Sequence, residues 1–140
     1  MEGAIMYLRF CTQTPCRDTR GASWGLFRPA YFYRDHPSTP VWLADAIAEE
    51  ISWFCRELPV PSRFAVYSKK HWRSSGVCWF HDRAREHVSR AWGLAALVEI
   101  AGTPLITVTA RDPGEVLYRD DFQVVAKNRK GYVPAAVGRC

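Results

Sequence analysis

Apolar side chains recur along this chain with two different periods, and the changes of period mark out its elements. Residues 4–12 alternate strictly: Ile5, Tyr7 and Arg9 face one way, and Met6, Leu8 and Phe10 the other, as a β-strand requires. Residues 14–21, with Pro15, Asp18 and Gly21, read as a loop. Residues 26–34 are too densely aromatic for a clean period and are expected to form a short helix.

The clearest pattern follows. Ser38-Thr39-Pro40 combines a capping hydroxyl with a proline suited to the first helical position. Leu43, Ile47, Ile51, Phe54 and Leu58 then recur at spacings of four, four, three and four, which is one face of an α-helix. Pro59 and Pro61 end it. Residues 62–75 interleave aromatic and basic side chains before a Ser74-Ser75-Gly76 turn. Residues 77–80 are a short apolar run, read as a buried strand. Asp82 is placed to cap a second long helix running to Ala101, with Ala84, Val88, Ala91, Ala95 and Val98 inward and Gly102 as its stop. Residues 105–110, 115–119 and 122–126 are strands, the last two joined through Asp120-Asp121 as a tight hairpin.

Strand, helix, helix, strand, helix and three strands predict an α+β fold. It is a single compact domain, with a mostly antiparallel sheet of about five strands packed against two long helices and one short one. The domain spans residues 1–126, and a basic C-terminal tail occupies 127–140. With 48% hydrophobic residues, including six Trp, seven Phe and six Tyr, the chain has ample material for a core, which excludes a disordered chain. The longest mostly apolar stretch, residues 91–101, contains Glu99 and falls well short of the ~20 residues that span a bilayer. Met1-Glu2-Gly3 is not the positive start of a signal peptide, so a cytoplasmic location is expected.

Charge changes the picture. Of the net +5, residues 127–140 carry +4 through Lys127, Arg129, Lys130 and Arg139, leaving +1 for residues 1–126. Within that body, residues 62–73 hold Arg63, Lys69, Lys70 and Arg73 without an acid, and leave −3 elsewhere. Two basic segments on a slightly acidic body suit an anionic partner. Arg63, Lys69, Lys70, His71, Trp72 and Arg73, interleaved with Phe64 and Tyr67, could pair with phosphates and stack on unpaired bases. Lys127, Arg129 and Lys130 would extend the patch. The expected partner is therefore a nucleic acid or nucleoprotein, bound by a small regulatory or inhibitory protein that is not expected to be an enzyme.

Two alternatives stand beside this reading. His81, Asp82 and Glu86 bracket a strand-to-helix junction and could form an acid–base site, with Arg9 or Arg73 as anion holder. Trp42, Trp53 and Trp92 fall beside the helical stripes, and if exposed would suit an adaptor that binds a protein partner. Phosphate-loop, dinucleotide-loop, H-E-x-x-H and G-x-S-x-G motifs are absent from the sequence, and no cofactor is expected. Five irregularly spaced cysteines are read as reduced thiols, with Cys55 and Cys78 buried. A zinc set of Cys11, Cys16, Cys78 and His81 lacks any C-x-x-C pair, and no metal site is expected.

Overall fold

A computed structural model describes residues 5–12, 25–59 and 76–127. The elements are β1 (Tyr7–Thr12), α1 (Phe27–Asp35), α2 (Val41–Glu57), β2 (Gly76–His81), α3 (Arg85–Ala101), β3 (Leu105–Ala110), β4 (Val116–Arg119) and β5 (Gln123–Lys127). The strands form one sheet in the order β3-β1-β2-β5-β4, every neighbouring pair antiparallel. The fold is α+β, as the order of periods predicts. The loop expected at residues 14–21 lies outside the described residues.

Alternation along the strands creates two cores. Leu8, Phe10, Phe80 and Leu105 pack against Leu43, Ile47, Ile51 and Phe54 of α2 and Ala91, Leu94, Ala95 and Val98 of α3. Each fully buried Leu or Ile here stabilises the fold by ~1.5–3 kcal/mol. The residues between them on the strands, among them Tyr7, Cys11, Trp79, Ile106, Val108 and Val124, form a second buried cluster built only from sheet residues. The sheet is thus apolar on both faces, with the described helices on one.

The two long helices are antiparallel. His87 near the start of α3 donates from Nε2 to the Glu57 carbonyl at the end of α2 (2.7 Å), and Arg90 pairs with Glu50 (3.2 Å) while lying over the Trp53 ring. His87 and Leu94 are buried although the predicted inner face of α3 omitted both, and Ala84 and Val88 are only half-buried. Among the described residues, no helix is long and apolar enough to cross a membrane.

Three local expectations are corrected. The helix cap before α2 is Pro40 itself, with no side-chain hydrogen bond, because the Ser38 hydroxyl is engaged with His36 Nδ1 (2.8 Å). Asp82 does not cap α3, whose N-cap is Ala84. Its carboxylate accepts the Met6 N–H (3.2 Å) while its own N–H donates to the Met6 carbonyl (3.0 Å), a clasp that continues the β1–β2 ladder. Cys55 is exposed, not buried. At the other end of α3, Gly102 adopts φ 133° and its N–H reaches the Val98 and Glu99 carbonyls, which is the glycine stop the sequence predicts.

Candidate functional site

β5 is where the two basic segments meet the described fold. Gly76, at the start of β2, is the register partner of Lys127, at the end of β5. Residues 63–73 therefore run into one member of this pair, and the C-terminal basic residues continue from the other. The far end of the first segment is tied to the same strand: Gln123, first in β5, donates from Nε2 to the Pro59 carbonyl (2.6 Å). Both ends of the 60–75 stretch are thus attached to β5, four residues apart along it. Arg63, Lys69, Lys70, His71, Trp72, Arg73, Arg129 and Lys130 lie outside the described residues, and Lys127 is described as a β5 backbone position only.

The attachment at Gln123 is a satisfied polar network inside the fold. Its Nε2 also donates to Asp120 Oδ2 (3.0 Å), and its Oε1 accepts the Cys78 thiol (3.1 Å). Asp120 Oδ1 accepts the N–H groups of Phe122 (2.8 Å) and Gln123 (3.0 Å), which shapes the β4–β5 turn, and Oδ2 also accepts the Tyr118 hydroxyl (2.8 Å). Every polar atom of the Gln123 amide has a partner, so its burial carries no unsatisfied donor. Sequence reasoning missed Gln123, because its role depends on a strand register that no motif encodes.

The alternative acid–base residues are brought together only in part. His81 Nδ1 lies 3.9 Å from Asp82 Oδ1 and accepts the Arg83 N–H (3.3 Å), and the His81 ring meets Tyr7 edge-on. Asp82 sits in the turn before α3, held by Met6, while Glu86 is exposed in the helix's first turn. Because Asp82 precedes the helix, four-residue spacing does not place it beside Glu86. Arg9 is buried, with its guanidinium 5.6 Å from the centre of the Trp79 ring; Arg73 lies outside the described residues.

The cysteines point apart. Cys11 belongs to the cluster on the face away from the helices, whereas Cys78, next to Trp79 on the strand, faces the other way toward Gln123. One ion cannot bind both, and Cys16 lies outside the described residues. Burial pushes the Cys78 thiol up to about 12, which keeps it protonated and unreactive at neutral pH.

The tryptophans divide as well. Trp53 is buried, but Trp42 is 61% and Trp92 50% exposed. Antiparallel packing sets the first turn of α2, with exposed Val41 and Trp42, at the same end of the helical layer as exposed Ile100 on α3. The last turn of α1, with Phe32, reaches that end too, since its Tyr33 hydroxyl bonds Thr103 Oγ1 (2.6 Å) just beyond α3.

Compared with known proteins, the chain matches no family model, no curated protein and no solved structure.

Proposed function

We propose that this chain is a small binding protein that holds a nucleic acid or nucleoprotein through Arg63, Lys69, Lys70, His71, Trp72 and Arg73 together with Lys127, Arg129 and Lys130. The observation that carries the reading is the common attachment of both basic segments to β5. Arg73 is three residues from Gly76 and Arg129 two from Lys127. At 3.8 Å per residue, covalent length alone keeps their Cα atoms within about 11 Å and about 8 Å of a directly paired position. Charges collected that closely reinforce one another over a Debye length of about 8 Å at physiological salt. Such a protein needs no catalytic group, and its size suits a regulator or inhibitor of a nucleic-acid machine in the cytoplasm. Cysteines in irregular, odd number are consistent with that reducing compartment.

Fluorescence anisotropy with labelled single-stranded and duplex oligonucleotides over a salt series tests the proposal. The logarithm of affinity should fall linearly with the logarithm of salt, by about 0.7–0.9 per phosphate contacted. The triple substitution Lys69→Ala, Lys70→Ala, Arg73→Ala should lower both affinity and slope. A variant with native affinity and slope would refute the assignment.

A second reading rests on a separate observation, the exposure of Trp42, Val41, Phe32 and Ile100 at one end of the helical layer. Exposed tryptophan beside aliphatic side chains suits a protein partner, and such binding would be insensitive to salt and abolished by Trp42→Ala.

A further inference from the structure

We infer that the sheet face away from the helices carries an oxyanion site, formed by the Arg9 guanidinium and the Trp79 indole N–H. Three observations converge there. First, Trp79 is 4% exposed, and its Nε1 is a buried donor without a hydrogen-bond partner. A buried donor left unsatisfied costs about 1–3 kcal/mol, so the position favours any acceptor that reaches it. Second, Arg9, also 4% exposed, places a permanent positive charge beside that indole. Third, the two innermost strands part at this level. Tyr7–His81 and Leu8–Phe80 are their register partners, and further along β1 it is Gly25 that bridges Cys11.

The donor set selects the ligand's chemistry. Guanidinium and indole donate only, so their common ligand is an acceptor, and the fixed charge makes it an anion. The surrounding cluster, including Tyr7, Cys11, Ile106 and Val108, is apolar or aromatic and contains no carboxylate. Outside the described residues the sequence holds only two acidic side chains, Glu2 and Asp18. A charge in such surroundings is tolerated when a counter-charge meets it with hydrogen bonds. The guanidinium fork matches two oxygens of one phosphate or carboxylate group. It has five N–H donors, so an incoming anion need not displace the interaction Arg9 already makes within the chain. Phosphate groups and carboxylates share this chemistry. The site is distinct from the basic segments proposed to bind nucleic acid, and neither assignment depends on the other.

Indole N–H resonances of the ¹⁵N-labelled full chain provide the test. Trp79→Phe and Trp72→Phe assign the two signals that matter, Trp72 reporting on the basic segment. Inorganic phosphate and then acetate are titrated at constant ionic strength. The Trp79 signal should move downfield and saturate with at least one probe, and the probe that saturates first identifies the group preferred. Arg9→Lys keeps the charge but loses the fork, and should weaken that response about tenfold, the equivalent of ~1.4 kcal/mol. The Lys69→Ala, Lys70→Ala, Arg73→Ala variant should leave it unchanged. A stationary Trp79 signal with both probes overturns the inference, as does a response that follows Trp72 and vanishes in the triple variant. A Trp79 signal that moves on Asp18→Asn or Glu2→Gln but not with either probe overturns it too, by identifying an internal carboxylate as the acceptor. Should Arg9→Lys fail to fold, Trp79→Phe decides. It removes the orphaned donor at little or no cost, and should diminish the thermal stabilisation that the responding probe confers on the native chain; undiminished stabilisation overturns the site.

Discussion

Replacing Gln123 by Glu tests whether hydrogen-bond polarity holds the β5 anchor. In the native chain the amide donates to the Pro59 carbonyl (2.6 Å) and to Asp120 Oδ2 (3.0 Å), while Oε1 accepts the Cys78 thiol (3.1 Å). A glutamate has nearly the same shape, but when ionised both of its oxygens accept. One of them would then face a carbonyl and a carboxylate at contact distance. The side chain is only 3% exposed, so water cannot replace the lost donors. A buried charge deprived of its partner costs on the order of 3–5 kcal/mol. Gln123→Leu removes the same hydrogen bonds without adding a charge, and should cost about 1–3 kcal/mol.

The two variants should differ in their response to pH. Burial and the facing Asp120 carboxylate raise the folded-state pKa of the introduced carboxyl above its unfolded value of about 4.3. A raised folded pKa means that the stability of Gln123→Glu is retained below the unfolded pKa and lost as pH rises through the folded one. The protonated acid can donate one of the missing bonds. Urea unfolding, followed by tryptophan fluorescence at pH 4 and pH 7, should show Gln123→Glu well below Gln123→Leu at pH 7 and close to it at pH 4. An equal gap at both pH values would refute the reasoning. If the basic segments act from β5, both substitutions should also weaken oligonucleotide binding in proportion to the loosening of Pro59.

Other expectations follow from single contacts. Maleimide labelling with site-resolved mass spectrometry should modify Cys55 rapidly and leave Cys11 and Cys78 unmodified in the folded chain, since Cys55 alone of the three is exposed and the Cys78 thiol is pushed up to about 12 by burial. Gly102→Ala should lower stability by about 1–2 kcal/mol, read as a fall in Tm, because an L-residue resists φ 133°. Its Cβ would also meet the Tyr33 hydroxyl at 3.3 Å. Asp82→Ala should speed hydrogen exchange at the Met6 amide and leave the first turn of α3 unchanged, because its carboxylate serves β1 and not the helix. Faster exchange confined to α3 would restore the capping role.

The stripe on α2 was legible because it corrects its own drift. Each four-residue step overshoots a helical turn by about 40°, so Leu43, Ile47 and Ile51 precess around the axis. The three-residue step to Phe54 returns the stripe to the core. Cys55 continues the drift instead, which is why it emerges exposed, although its type suggested burial. Alternation likewise separated the faces of β1, since period two is enforced by the backbone whatever packs above it. What the sequence concealed are choices between competing partners. Asp82 can cap a helix or close a ladder, and only the arrival of Met6 beside it decides between them. Ser38 can cap α2 or bond His36, and the nearer partner takes the hydroxyl. The candidate site divides along the same line. Its basic side chains were visible as acid-free segments, whereas their common footing was not, because Gly76 and Lys127 are fifty-one residues apart and become neighbours only through the β2–β5 register. Local patterns can nominate charges for a partner; bringing their anchor points together is the work of long-range pairing, and for this chain that work falls to β5.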